Sequence, residues 1–325
     1  MNVTYIIGNG FDLNLGLKTR YQNFYDYYMT KTSPNSQVEL LKDTIKQDGY
    51  ELWSDLEIGL GRISAKYETS DDFMVALADI SDHLRKYITE INNSVRIGLY
   101  DTKRFRKDLC YPSKYLVEAD RTILKTFCQR FASSWNVNII SFNYTDTIMR
   151  ILTNADSKVQ AQIGVNEFNI PVSMGSIQYV HGMYDDTILL GVNDSEQIRK
   201  TEFRNHVDLV EMFVKPKAND AIGELTDNKC HALLKDSQLI CIFGHSMGET
   251  DKIWWERIKE ILTTRDCRLI IFIYNDKINI KNQRFRRQAI KRELMTELGW
   301  ADNIASKVYI GLNTDIFNLK KLVAS

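Results

Sequence analysis

The sequence contains little proline and little cysteine. It has only four prolines and no low-complexity segment, so no linker divides its 325 residues, and we expect a single domain over residues 1–325. Its five cysteines are odd in number, scattered, and never spaced C-x-x-C, which argues against a disulfide framework and against a zinc ribbon. The formal net charge is zero, so bulk electrostatics point to neither nucleic acid nor an anionic membrane as a partner.

Long apolar runs are also missing. No run approaches the roughly 20 residues needed to cross a bilayer, and no signal-peptide pattern follows Met1. We therefore expect a cytoplasmic protein without a membrane partner. Hydrophobic residues make up 44% of the chain and charged residues 26%, which is typical of a folded domain with a sizeable core.

Short apolar runs predict the strands of the fold. Five are strong and two are weaker, the strong ones at 3–7, 137–142, 177–180, 238–243 and 268–274 and the weak ones at 188–191 and 307–311. The strong runs are near-continuous rather than alternating, as in a sheet that is covered on both faces. Because helical patterns lie between them, we predict an α/β fold with a doubly wound, mostly parallel sheet.

The predicted strands are unevenly spaced, since about 130 residues separate the first two. We interpret residues 15–132 as a large, mostly helical insertion after the first strand, and residues 192–235 as a second, smaller insertion. Within the first insertion, apolar residues recur at steps of three and four from Phe73 to Val95, which predicts one long helix. Such a stripe is typical of core packing, and the 73–95 helix also fits a homo-oligomer contact.

Polar turns, most of them marked by glycine, follow every strong strand. Ligands bind at the carboxyl ends of parallel strands, where the strand order reverses. We therefore take the residues at these ends as candidate site residues. They are Gly8, Asn9, Gly10 and Asp12 after the first strand, Asn143 and Asp146 after the second, His181 after the third, Gly244, His245 and Ser246 after the fourth, and Asn275 after the fifth.

The residue types at these ends suggest separate roles. Gly8-Asn9-Gly10 fits a phosphate cradle, because glycine lets backbone N–H groups approach an anion, and a plain tight turn is the alternative. His181 is a candidate general base, since an unperturbed imidazole has a pKa of about 6.5. Asn143 does not titrate, so it would act by hydrogen bonding to a water or an amide, unless it only satisfies its own turn.

Residues 244–248 spell G-x-S-x-G, the nucleophile elbow of serine hydrolases. An α/β-hydrolase needs its histidine after the serine, and no histidine follows His245. We therefore do not expect Ser246 to be a nucleophile. Cys230 and His231 are neighbours of the types that bind metals, but no further cysteine or histidine clusters with them in the sequence. We therefore expect no metal site.

A basic run at 281–292 surrounds Phe285. Such a run can follow a phosphate backbone. It is also typical of the solvated face of a helix, and Glu293 and Glu297 close by favour that interpretation.

Six motifs occur in order between residue 4 and about residue 255. They read "IIGNGFDLNLGLKTRYQNFYDYY", "LWSDLE", "SFNYTD", "YVHG", "LLGVND" and "FGHSMGETD". Together they resemble the AbiH family of bacterial phage abortive-infection proteins. That family is in turn similar to the sirtuin-like group, whose Rossmann-type sheet binds NAD.

The resemblance implies a role for each strand end. Gly8 and Gly10 would grip the dinucleotide, Asn143 would place the nicotinamide ribose or the attacking water, His181 would act as base, and Gly244 with Ser246 would receive the adenosine ribose. Asp12 and Asp146 would order the loop or hold a ribose hydroxyl. Sirtuin deacetylases carry a zinc module with two C-x-x-C pairs, which this chain lacks, so protein deacetylation is not expected.

One further departure concerns spacing: the related asparagine motif places its aspartate two residues on, whereas Asn143 and Asp146 are three apart. In the "LWSDLE" motif, Glu57 and Trp53 could reach over the pocket, with core packing the alternative for Trp53.

Three functional hypotheses follow. The leading one is an NAD⁺ glycohydrolase in phage defence, with NAD as substrate and no metal, depleting NAD or NADP once a phage-derived trigger is sensed. The second is a sensor module that binds NAD or ADP-ribose without cleaving it. The third is a defence effector that acts on nucleic acid through the 281–292 run.

Overall fold

A computed structural model describes residues 1–131, 133–153, 161–183, 188–221, 225–278 and 283–320, with only the backbone of 283–285. Within these residues seven strands form one sheet, at Asn2–Ile7 (β1), Trp135–Ser141 (β2), Gln162–Val165 (β3), Pro171–Tyr179 (β4), Leu239–Phe243 (β5), Arg268–Ile273 (β6) and Val308–Leu312 (β7). Their order is β3-β4-β2-β1-β5-β6-β7, and every neighbouring pair is parallel except β3 with β4. The predicted α/β class with a mostly parallel sheet is confirmed.

The strong apolar runs all form strands, and the weak run at 307–311 forms β7. The predicted strand at 188–191 is wrong, because that segment runs as irregular backbone. Its apolar residues are buried against helices instead, and Leu190 belongs to the same apolar cluster as Trp53. Strand β3 was not predicted, since it is a short edge strand with exposed ends.

Thirteen α-helices lie among the described residues. Seven fall between β1 and β2, at Gly10–Asn14 (α1), Tyr21–Tyr28 (α2), Ser36–Asp48 (α3), Leu56–Ile63 (α4), Ser70–Ser94 (α5), Thr102–Cys110 (α6) and Glu118–Cys128 (α7). The others are Thr147–Leu152 (α8), Val207–Phe213 (α9), Lys215–Ala221 (α10), Thr226–Lys235 (α11), Lys252–Thr264 (α12) and Gln283–Glu297 (α13).

Both faces of the sheet are covered, as the near-continuous apolar runs predict. Successive side chains of a strand point to opposite faces. Accordingly Tyr5 and Ile139 belong to one apolar cluster, whereas their neighbours Ile6 and Ile140 belong to another on the opposite face. All five cysteines are buried in the structure without a disulfide.

A third apolar cluster forms a helical layer over the sheet. The stripe on α5 is buried in it from Phe73 to Ile88, together with residues of α2, α3, α4 and α9. Part of each predicted insertion therefore shares one core, residues 24–88 of the first and 192–214 of the second. Residues 95–128 pack instead in the cluster that contains Tyr5. An oligomer contact through α5 would have to use the faces of this helix that the stripe leaves exposed.

The strand order reverses at β1, which places the carboxyl ends of three strands side by side. From β1 the chain proceeds to β2 and β4 on one side, and later to β5, β6 and β7 on the other. The turns that follow β1, β2 and β5 are therefore neighbours. No helix among the described residues is both long and apolar enough to cross a membrane.

Candidate functional site

A cavity of about 1030 Å³ opens at the carboxyl ends of β1, β2 and β5. Its floor is formed by the turns after these strands, and the helical layer supplies the opposite wall with Tyr21, Tyr50, Glu57 and Tyr87. Ligand pockets for small molecules and cofactors usually measure about 300–1000 Å³. This cavity therefore has room for a ligand of dinucleotide size.

Most of the candidate residues from the strand ends meet in this cavity. Those that line it are Asn9, Gly10, Asp12, Asn143, His181, Gly244, His245 and Ser246. Gly8, Asp146 and Asn275 do not line it. Asn275 is instead held in a turn, donating its N–H to Asn313 Oδ1 at 2.7 Å and accepting from Asn313 Nδ2 at 2.9 Å.

The glycines after β1 hold two turns together rather than presenting free N–H groups. The N–H of Gly8 donates to Phe243 O at 2.9 Å, and that of Gly10 to Gly244 O at 2.7 Å. A Cβ atom on Gly10 would lie 2.5 Å from Gly244 Cα, so no larger residue fits there. A phosphate cannot use these two N–H groups without breaking the bonds between the turns.

Replacing Gly10 by alanine is expected to force the two turns apart and to lower the free energy of unfolding by about 1–3 kcal/mol. Gly98→Ala is the matched control, because a Cβ atom at Gly98 would meet nothing within 4 Å. Urea denaturation of both variants measures the difference. Equal stability of the two variants would contradict the close packing at Gly10.

Three buried polar atoms at the floor of the cavity have no hydrogen-bond partner among the described residues. They are Asn143 Oδ1, Asn143 Nδ2 and Asp12 Oδ1, in side chains whose residues are 3% and 1% exposed. An unsatisfied buried polar group costs about 1–3 kcal/mol, so native proteins rarely keep several together. This concentration is what a site that awaits a polar ligand is expected to show.

Asp12 is held at the floor by one of its oxygens. Thr145 Oγ1 donates to Asp12 Oδ2 at 2.8 Å, joining the turns after β1 and β2. Burial raises the pKa of Asp12 to about 7, and the nearby Asp146 carboxylate acts in the same direction. Asp12 therefore titrates near neutral pH.

An ionic cluster adjoins the cavity where the helical layer meets the sheet. Lys215 Nζ contacts Glu57 Oε2 at 2.7 Å and Asp251 Oδ1 at 3.4 Å, and all three side chains are buried. Asp251 also faces His181 Nε2 at 3.5 Å and His245 Nε2 at 3.3 Å. Lys215 and the two histidines hold the pKa of Asp251 well below its usual range.

Glu57 enters this cluster from the first turn of α4. Asp55 caps that helix by accepting from the N–H groups of Glu57 and Ile58 at 3.1 Å, which fixes where the Glu57 side chain starts. Glu57 Oε1 accepts from Gly191 N at 3.3 Å. Burial raises the pKa of Glu57 to about 7 despite the neighbouring Lys215.

His181 is a neutral imidazole in this setting. It is 6% exposed and packs edge-on against Phe142, with ring centroids 5.2 Å apart. Burial, with the Lys215 charge second, lowers the pKa of His181 to about 4. The predicted role of His181 as a general base assumed an ordinary imidazole pKa of about 6.5. The fold lowers this pKa, so the assumption does not hold.

His245 and Ser246 do not assemble as a hydrolase dyad. Both nitrogens of His245 are engaged, since Nδ1 accepts from Met247 N at 2.9 Å and Nε2 faces Asp251. Ser246 is exposed at the mouth of the cavity. This arrangement leaves His245 without a free nitrogen to accept a proton from Ser246.

Trp53 belongs to the core, not to the cavity. It is fully buried, donates its indole N–H to Asp48 Oδ2 at 3.2 Å, and lies against Gly59. A Cβ atom on Gly59 would lie 2.5 Å from the Trp53 ring. Of Trp53 and Glu57, the two residues predicted to reach over the pocket, only Glu57 lines the cavity.

Several residues of the site were not predicted from the sequence. Asp251 closes the "FGHSMGETD" motif, and an acidic residue so close to a histidine was the available signal. Lys215 has no local signal, because it begins a short helix far from every strand end. Tyr21 and Tyr144 line the cavity and hydrogen-bond to each other, which no spacing in the sequence indicates.

The basic run at 281–292 is partly engaged inside the chain. Arg287 pairs with Asp120, and Lys291 donates to the main-chain carbonyls of Ala305 and Val308, each at 2.6 Å. Arg286 and Arg292 are exposed. The members of the run outside the described side chains are Lys281, Arg284 and Phe285.

Within the described part of the chain, no group of three or more histidine, cysteine, aspartate or glutamate side chains is arranged to hold a metal ion. The charges around Asp251 are instead balanced by Lys215.

Most of the chain matches the model of one known protein family. The family model described as bacteriophage abortive infection AbiH matches residues 4–273, which is most of the chain. No curated protein matches it. The resemblance carried by the six motifs is therefore confirmed, and the chain belongs to the AbiH family of phage abortive-infection defence proteins.

Proposed function

We propose that this AbiH protein is an NAD⁺ glycohydrolase that cleaves the bond between nicotinamide and ribose during phage defence. The observation that carries the proposal is the convergence of Asp12, Asn143 and His181 on one cavity of about 1030 Å³ at the point where the strand order reverses. Doubly wound sheets bind dinucleotides in that crevice. The same reversal supports a Rossmann-type, sirtuin-like fold as part of the proposal.

The reaction makes limited demands on the protein. The nicotinamide leaving group is already cationic, so its departure needs no general acid, and the ribose left behind is oxocarbenium-like. The site has to exclude bulk water, orient one water molecule, and accept its proton. The unpartnered amide of Asn143 supplies a donor and an acceptor for that water or for a ribose hydroxyl.

His181 contributes as a neutral hydrogen-bonding group. Its Nε2 faces the Asp251 carboxylate, which holds the proton on that nitrogen and leaves Nδ1 as an acceptor. Because burial and Lys215 keep the imidazole neutral, it does not repel the cationic nicotinamide. Arg20 is exposed and is the one lysine or arginine among the described residues that line the cavity, and it is suited to the pyrophosphate.

The proposal predicts that the purified protein binds NAD and releases nicotinamide. NAD present at about 100 times its Kd should stabilise the folded protein by about 2.7 kcal/mol, measured as a thermal shift beside NADP and ADP-ribose. Released nicotinamide is quantified by chromatography. Release without a matching amount of ADP-ribose would contradict hydrolysis as the reaction.

A second candidate function is a sensor that binds NAD or ADP-ribose without cleaving it. The low proton affinity of His181 favours it, since the residue then serves mainly to shape the pocket. The two functions separate in the same assay. A sensor gives the thermal shift with NAD but leaves the nicotinamide–ribose bond intact, including in phage-infected cells.

A further inference from the structure

The proposed cleavage needs a group that takes a proton from the attacking water, and three titratable candidates line the cavity, His181, Glu57 and Asp12. Both oxygens of Glu57 are already engaged, Oε2 with Lys215 and Oε1 with the N–H of Gly191. His181 is held by Asp251 and lies beside the Lys215 charge, both within the ionic cluster. Asp12 lies outside that cluster, at the floor of the cavity. One of its oxygens is engaged with Thr145, and the other has no partner among the described residues.

We propose that Asp12 is the catalytic proton acceptor and that the Asn143 amide holds the attacking water beside it. This inference rests on the proposed function. The water oxygen forms a bond to ribose C1′ as the bond from C1′ to the nicotinamide nitrogen breaks. That bond's electron pair stays on the nicotinamide, which leaves neutral, and the water proton passes to Asp12 Oδ1 and then to solvent.

The sheet places Asp12 and Asn143 together. Strands β1 and β2 are parallel neighbours, with Ile7 opposite Ser141, so the turns that follow them are adjacent. The Thr145 hydroxyl, which itself accepts from Thr147 Oγ1 at 3.2 Å, fixes the Asp12 carboxyl by its Oδ2. The second carboxylate oxygen, Asp12 Oδ1, therefore has no partner among the described residues and lies at the cavity floor, as the Asn143 amide does.

The charges around Asp12 favour proton uptake. The groups that act on it are the Thr145 hydroxyl and the Asp146 carboxylate from the turn after β2, and Tyr100 lies within electrostatic reach from the segment before α6. Burial is the largest effect and raises the pKa of Asp12 to about 7. A base is most effective when its pKa lies near the working pH. The pKa of His181, about 4, lies far below it.

Asp12→Asn tests the assignment, because asparagine keeps the shape and an acceptor for Thr145 but cannot take the proton. Asp43→Asn, an exposed change on α3, is the control. Nicotinamide release is measured from pH 5 to 9 in terms of kcat and KM. The expected result is a kcat about a hundredfold lower or more, with KM within a few-fold and Asp43→Asn unchanged. Wild-type kcat should fall tenfold per pH unit below about pH 7, and Asp12→Asn should lose this inflection.

The outcomes separate the two proposals. Absence of nicotinamide release from the wild-type protein counts against the glycohydrolase itself. Wild-type release that persists within threefold in Asp12→Asn, or an acid limb that inflects near pH 4, overturns only the assignment of Asp12 and points to His181.

A stability measurement tests the titration of Asp12 without turnover. Because the folded-state pKa is raised from 3.8 to about 7, the protonated carboxyl favours the folded state, and this contribution is lost as pH rises through that window. Asp12→Asn should therefore gain stability relative to wild type from about pH 4 to 7, with a constant difference above. A difference that does not change across this window shows an ordinary carboxylate and overturns the assignment.

Discussion

Replacing Lys215 by methionine is expected to lower the free energy of unfolding by about 3–5 kcal/mol, the range found when one partner of a buried ion pair is removed. Lys215 Nζ lies 2.7 Å from Glu57 and 3.4 Å from Asp251, and both carboxylates are buried. Without the ammonium group, two acidic side chains remain beside each other in the interior. Urea denaturation at pH 7 measures the loss.

Lys217→Met is the control, because Lys217 is exposed on the same helix. The double variant Lys215→Met with Glu57→Gln should recover part of the stability, since it replaces the buried carboxyl that has lost its Lys215 partner with a neutral amide. A Lys215→Met variant as stable as Lys217→Met would show that the cluster is hydrated rather than buried. A hydrated cluster would also not lower the pKa of His181, because that pKa is lowered first by burial and then by the Lys215 charge.

Asn143→Ala and His181→Ala are each expected to reduce nicotinamide release by about a hundredfold or more. The loss of one oriented hydrogen-bonding group at a reacting centre has that magnitude. Asn143 contributes both of its unpartnered amide atoms, and His181 contributes an acceptor held in place by Asp251. Binding of NAD, measured by thermal shift, should be retained in both variants.

His231→Ala serves as the histidine control, because His231 lies on α11 and does not line the cavity. It should release nicotinamide at the wild-type rate. If Asn143→Ala and His181→Ala also keep their activity within threefold, the cleavage takes place elsewhere. Loss of NAD binding together with activity would instead assign these residues to binding.

The sequence was sufficient to locate six of the seven strands among the described residues and the edge of the sheet at which the candidate site lies. Near-continuous apolar runs identify buried parallel strands, and the carboxyl ends of such strands share one edge. The polar turns at Asp12, Asn143, His181 and Gly244 are therefore predictable from the sequence alone. The apolar run that contains Leu190 is an exception, since it packs on helices and forms no strand. An apolar run indicates burial, and burial alone does not distinguish a strand from irregular backbone.

The electrostatics of the site were not predictable in this way. Glu57 and Lys215 are 158 residues apart in the sequence and meet only because two helical segments share one core. The pKa of His181 depends on that meeting and on burial, neither of which a local motif records. The glycines after β1 show the same limit, since Gly10 donates to a turn more than 200 residues away rather than to a phosphate.

If the cavity cleaves NAD when a phage infects the cell, the NAD content of an infected culture must depend on the Asn143 amide. Bacteria carrying the wild-type protein or Asn143→Ala are infected with a phage that the wild-type protein restricts. We predict that NAD falls in the wild-type culture as nicotinamide and ADP-ribose rise together, and that it stays level in the Asn143→Ala culture. A wild-type culture that aborts the infection with its NAD content unchanged would show that this protein does not defend the cell by cleaving NAD.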